Sequence, residues 1–170
     1  MSSPADQQNE GPATPRADRA AAARPRAKRA DIGFGGLAEI VGLHIGIANN
    51  AILQNFRKSF ERLQLTQKQT SLLWLVAENP GLSQVDFGRL FKIDRATMLG
   101  ITNALSRRGL IERRPAPDHG RRIGLHLTAA GKSLLAEAKA TVATHEDWVK
   151  SRFTPAEIET VIALMSRFQE

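Results

Sequence analysis

The chain has 170 residues and no cysteine, a length suited to one compact domain or one domain with a tail, and it has no means of forming disulfides, thiolate metal sites, a catalytic thiol or a cysteine redox switch. Lys and Arg number 24 against 17 Asp and Glu, a net charge of +7, which favours a polyanionic partner. No apolar run approaches the roughly 18 residues of a membrane span, and the N-terminus lacks the roughly 7–15-residue apolar core of a secretion signal, so a cytoplasmic protein without a membrane partner is expected.

Residues 1–31 hold nine Ala, four Pro, six basic and four acidic residues, and no hydrophobic side chain larger than Met1. Such a segment cannot bury enough surface to offset its ordering entropy, and a disordered basic Ala/Pro-rich tail is expected. Its run Arg24-Pro25-Arg26-Ala27-Lys28-Arg29 reads as a solvated stretch or as an accessory that lies along phosphates. From Leu37, apolar positions recur at steps of three and four: Leu37, Val41, His44, Ala48, Ala51 or Ile52, Asn55 or Phe56, and Phe60. That period predicts one amphipathic helix of about seven turns ending near Leu63.

Thr66-Gln67-Lys68-Gln69 has the form of a capping box and opens a second helix carrying Leu72, Leu73, Leu75 and Val76, which Asn79-Pro80-Gly81 closes. Ser83-Gln84-Val85-Asp86 opens a short third helix through Val85, Leu90 and Phe91. Asp94 caps a fourth from Arg95 to Arg108, with Met98, Ile101 and Leu105 as its apolar stripe and Gly109 as its stop. The period then changes to extended. Leu110 to Arg114 and Ile123 to Leu127 form a predicted hairpin with a Pro/Asp/Gly-rich tip. Thr128 caps a long helix to Lys150 or beyond, with Leu134 or Leu135, Ala138, Val142, His145 and Val149 on one face. Thr154-Pro155-Ala156-Glu157 opens a last helix whose apolar face is Ile158, Val161, Ile162, Met165 and Phe168.

The expected fold is therefore mainly α with a small β-hairpin wing. Residues 64–128 form a winged helix-turn-helix head, and helical segments at 32–63 and 129–170 flank it. Between Gln84 and His126 there are nine Lys or Arg against four Asp or Glu, so the basic surplus of the folded part is concentrated in this head. In such a unit the second helix enters the major groove of double-stranded DNA. Removing the apolar stripe leaves Arg95, Thr97, Leu99, Gly100, Asn103 and Arg107 facing outward. Arg95 and Asn103 suit bidentate contacts to guanine and adenine, Thr97 suits a phosphate or a thymine methyl, and Gly100 permits close approach. Arg113, Arg114, Arg121 and Arg122 converge on the hairpin tip, and Asp118 can neutralise and orient one of them.

These residues also carry a family resemblance. Leu90-Phe91-Lys92-Ile93-Asp94-Arg95-Ala96-Thr97-Met98, then Leu105 to Arg113, then Asp118 to Arg122 and Leu125-His126-Leu127-Thr128-Ala129-Ala130-Gly131 resemble the MarR family of transcriptional regulators in order and spacing, over about Leu37 to Glu170. The family pattern has an aspartate two residues before the wing arginine; here Asp118 stands three before Arg121. The resemblance implies a homodimer in which the first helix and the two C-terminal helices interlock, so that 32–63 and 129–170 are dimerisation segments. Two heads then meet successive major grooves of a near-palindromic operator. The long helix and the two C-terminal helices left over from the head also need cover for their apolar faces.

Gly42 and Gly46 lie inside the first helix, where each is disfavoured by roughly 1 kcal/mol against Ala, so close packing or a cavity is expected beside them. His44, Ala48, Asn49 and Asn50 lie close by, and Trp74 is placed at the same crevice or in the core. The resemblance implies an effector between the dimer helices and the head, and a phenolic acid or a hydroxycinnamoyl-CoA is the class it suggests. Arg57, Lys58 and Arg62 are then candidates for the phosphates of a thioester. The four histidines, His44, His119, His126 and His145, are too scattered for a metal site, and no cofactor is expected. There is no phosphate-binding glycine loop, no nucleophile elbow and no paired carboxylate beside a histidine, so an enzyme is not expected. The competing reading is an architectural DNA-binding protein without an effector.

Overall fold

The computed structural model of the chain describes residues 33–115 and 123–169. The expected tail at 1–31 and the wing-tip residues Asp118, His119, Arg121 and Arg122 lie outside the described residues. The chain divides into two units, Met1–Ala38 and Glu39–Glu170. In the first, the backbone N–H of Leu37 donates to the Phe34 carbonyl within a 3-10 turn that begins at Gly35.

The second unit runs α1 (Val41–Ser59), α2 (Gln67–Glu78), α3 (Gln84–Leu90), α4 (Arg95–Arg107), β1 (Ile111–Pro115), β2 (Ile123–Leu127), α5 (Ala129–Lys150) and α6 (Pro155–Ser166). Five of the six helices start at the caps expected of them. Thr66 and Thr154 form complete capping boxes, and Ser83, Asp94 and Thr128 each accept from a first-turn backbone N–H. Such a cap satisfies a donor that the helix itself cannot, and contributes about 1 kcal/mol.

The first helix is shorter than its period predicts. Ile40 offers no side-chain cap, and Leu37 falls in the 3-10 helix Gly35–Glu39 rather than in α1. At the other end the chain leaves helical geometry after Ser59, and Gln64 takes a positive φ of 51°. The exit is held by Arg108, whose guanidinium donates to the carbonyls of Leu63 at 3.0 Å and Gln64 at 2.6 Å. In α3 the expected apolar residues are on the outside: Val85, Leu90 and Phe91 are exposed, and Phe87 is the buried anchor. A helix of seven residues is too short for its period to fix which face turns inward.

The core gathers Leu72, Leu73 and Val76 of α2, Phe87 of α3, and Met98, Ile101 and Leu105 of α4, closed by Leu125 of the wing and Leu135 and Ala138 of α5. Phe56 and Phe60, one helical turn apart, stack at 3.9 Å between ring centroids and join α1 to this core. The wing is antiparallel, with Arg113 opposite Leu125 and Arg114 opposite Gly124, and Leu125 also bridges to Leu82 ahead of α3. Gly131 lets the first turn of α5 pass against the loop after α4, because a Cβ there would lie 2.0 Å from the Leu110 carbonyl oxygen.

Among the described residues, two stretches lack such cover. The N-terminal half of α1 exposes Val41, Ile45 and Ile47, and α6 buries no residue, leaving Val161, Ile162, Leu164 and Met165 exposed.

Candidate nucleic-acid interface and effector crevice

Asp94 ends the turn between α3 and α4 and fixes where α4 begins. Its carboxylate accepts from the Thr97 backbone N–H at 2.9 Å and from the Thr97 hydroxyl at 2.6 Å. Those two bonds, the hydroxyl's first, hold the carboxyl below the usual carboxylate range. The chain reaches Asp94 through Lys92, which takes a positive φ of 49°. The turn thus sets Arg95 at the exposed start of α4.

Around Arg95 the structure assembles a groove lined by Gln84, Arg89, Arg95, Leu99, Arg113 and Ile123. Three guanidinium-bearing residues from α3, α4 and β1 meet on one surface, which is the footprint of phosphate and base-edge recognition. Arg89 and Gln84 were not singled out from the sequence. No local signal marked them, because the seven residues of α3 do not fix which of its faces turns outward.

The other expected contacts divide into several environments. Leu99 is exposed, and a Cβ at Gly100 would meet nothing within 4 Å. Asn103 accepts from Arg113 Nη2 at 2.8 Å, tying α4 to the base of the wing. Arg107 lies exposed in the last turn of α4, and Arg114 pairs with Glu112 on β1. Thr97 lies on the side of α4 that faces α1 and α2.

That side opens into a crevice of about 740 Å³. Asn49, Leu53 and Arg57 of α1 line it, with Lys68 of α2 and Thr97 and Ile101 of α4. Of the cations expected to meet phosphates, Arg57 lines it; Arg62 pairs with Glu137 of α5 at 3.0 Å, and Lys58 is exposed on α1 outside the lining. Lys68 is an addition from the structure. A second cavity of about 250 Å³ lies beyond Phe56 and Gln67, which line both.

Trp74 opens onto this second cavity, together with Thr70, Val142 and His145. His44 lines neither cavity, and neither do Ala48 and Asn50; all three are exposed on α1. The histidine beside Trp74 is therefore His145, which is 3% exposed and has Nδ1 2.7 Å from Asn55 Oδ1. Burial pushes its pKa down, opposed by the neighbouring Glu146 carboxylate. A Cβ at Gly42 or Gly46 would meet nothing within 4 Å, so neither glycine is required by packing within the described residues. Among the described residues no three His, Asp or Glu gather as a metal site, and no helix is long and apolar enough to cross a membrane.

A model described as the MarR family matches residues 63–122. A Thauera aromatica protein assigned as a transcriptional regulatory protein for the hcr operon is 30% identical over 139 residues, covering 81% of this chain and 84% of that protein. Two solved structures of a transcriptional repressor, CouR, are each 29% identical. One, bound to a 23-mer DNA duplex, superposes with a TM-score of 0.76 over 83% of this chain and 100% of that one. The other, bound to p-coumaroyl-CoA, has a TM-score of 0.73 over 81% of this chain and 97% of that one.

Proposed function

The chain belongs to the MarR family of transcriptional regulators, DNA-binding proteins rather than enzymes, and we propose that it is a homodimeric cytoplasmic repressor. In this reading it holds a near-palindromic operator and leaves it when a small aromatic acid or its CoA thioester binds. Residues 64–128 form the reading head; 32–63 and 129–170 form the dimer. Arg95, Leu99, Gly100, Asn103 and Arg107 face the major groove from α4. Arg113 and Arg114 with the wing-tip residues Arg121 and Arg122 meet the neighbouring backbone or minor groove, with Asp118 supporting the wing.

One observation carries the effector part. The crevice lined by Asn49, Arg57 and Lys68 extends to Thr97 and Ile101 of α4, so a ligand in it touches a dimerisation helix and the recognition helix together. Its lining of aromatic edges, amide groups and two cations against the single carboxylate of Glu61 keeps a positive balance, which suits an aromatic body with an anionic end. CouR, which is similar to this chain, has been solved both on DNA and with p-coumaroyl-CoA.

The energetics follow from linkage. A ligand weakens operator binding only by the ratio of its affinities for the dimer with heads set for DNA and for the dimer with heads displaced; typical couplings are about 1–3 kcal/mol. Fluorescence anisotropy of the DNA upstream of the protein's own gene, at fixed salt, with and without p-coumaroyl-CoA, p-coumarate and related aromatic acids, tests this. Tight binding weakened roughly 5- to 150-fold by one of them is expected. Tight binding that none of them changes would instead favour a DNA-binding protein without such an effector.

A further inference from the structure

The two cavities differ in the chemistry that they offer, and that difference orients a ligand. Arg57 and Lys68 line the larger crevice, with Glu61 as the one carboxylate in its lining. No lysine or arginine lines the smaller cavity, where the ionisable groups are His145 and Glu146. Lys139 lies 4.5 Å from the Trp74 ring centroid, and it is paired with Glu78 at 3.3 Å.

His145 is nine-tenths buried, and its tautomer follows from its partner. Asn55 Oδ1 is an acceptor, so at 2.7 Å the His145 Nδ1 carries the proton. The nitrogen that the neutral ring has left for a ligand is Nε2, which presents a lone pair. Phe56 meets the imidazole edge-on at 5.3 Å between centroids, and Trp148 stacks on it at 6.1 Å, which holds the ring plane. The Thr70 hydroxyl already donates to the Thr66 carbonyl at 3.1 Å, and Glu146 is an acceptor; Gln67 and Ser71, which can play either part, and Trp74, whose indole N–H is a donor, complete the polar lining. Within this lining the two groups that can only accept, His145 Nε2 and the Glu146 carboxylate, belong to adjacent residues of α5.

Resting on the effector reading above, we infer that His145 selects a hydroxyl group on the effector's aromatic ring. The phenolic end enters the small cavity and donates to Nε2, while the acid or thioester end stays in the crevice beside Arg57 and Lys68. A volume of about 250 Å³ is enough for one substituted ring, since a cavity of roughly 150 Å³ already holds benzene. A ring without the hydroxyl leaves Nε2 buried and unpaired. A carboxylate placed there meets the imidazole lone pair and Glu146.

The test is the ratio of half-release concentrations for p-coumaroyl-CoA and cinnamoyl-CoA, which differ by that hydroxyl, read on the full chain bound to labelled operator. The ratio compares two ligands on one protein, so changes in operator affinity or stability cancel. In the unmodified chain the hydroxylated thioester is expected to act at a concentration at least about fivefold lower. His145→Phe brings the ratio to about one, and His145→Gln, which keeps an acceptor, restores part of it. An unmodified chain that responds equally to both thioesters, or a His145→Phe variant that keeps the preference, overturns the assignment of His145 and leaves the effector reading standing. Operator that neither thioester nor the free acids release overturns both.

Discussion

At Gly131 a single methyl group would collide with backbone, because its Cβ would lie 2.0 Å from the Leu110 carbonyl oxygen. Neither partner can turn aside as a flexible side chain would. Gly131→Ala is therefore expected to destabilise the chain by about 1–3 kcal/mol, as overpacking does, checked by urea unfolding; a midpoint equal to the parent's would mean that α5 starts elsewhere. Such residue-scale features were only partly legible in the sequence. Asp94, Thr128 and Thr154 could be read as caps because the N–H groups that they satisfy lie within three residues. His145 could be placed on the inner face of α5, but its partner Asn55 is 90 residues away, and no local pattern links them. Arg108, read as the end of a helix, instead holds carbonyls at Leu63 and Gln64, a contact that exists only after α1 and α4 have packed together.

At the scale of elements, the period fixed the buried face of α4 but not that of α3, and it gave α1 an apolar stripe whose first turns, at Val41, His44 and Ala48, are exposed. In α4 the stripe of Met98, Ile101 and Leu105 is buried as its spacing predicts, and Thr102 joins it because its hydroxyl donates to the Met98 carbonyl at 3.0 Å. In α3 the choice between Val85 and Phe87 was made by packing. The same ambiguity hid Arg89, which completes the groove with Arg95 and Arg113. The two arginines are expected to behave differently. Arg95→Ala, at the end of α4 proposed to meet base edges, should lower operator affinity by about 1–3 kcal/mol and unrelated duplex affinity by less. Arg89→Ala should weaken both alike and reduce the slope of log affinity against log salt by about one. Titrations of operator and scrambled duplex at several salt concentrations separate the cases; equal losses and equal slopes for both variants would contradict the assigned roles.

For the whole molecule, the head could be read from the sequence and its surroundings were left incomplete, for a physical reason. Caps, a hairpin and a local basic surplus are written in short range. The exposed Val41, Ile45 and Ile47 of α1 and Val161, Ile162, Leu164 and Met165 of α6 are apolar surface that the described residues do not cover, and two extended apolar faces on one protomer suit a second copy. A dimer also gives an effector something to act on, because the separation of two heads decides whether both reach their half-sites. Sedimentation of labelled operator with increasing protein, with and without p-coumaroyl-CoA, reads assembly and release in one experiment. A complex of two protomers per duplex that the thioester dissociates is the expected result. One protomer per duplex at saturation, or a two-protomer complex that neither p-coumaroyl-CoA nor any other aromatic acid or thioester disturbs, would contradict a ligand-released dimeric repressor.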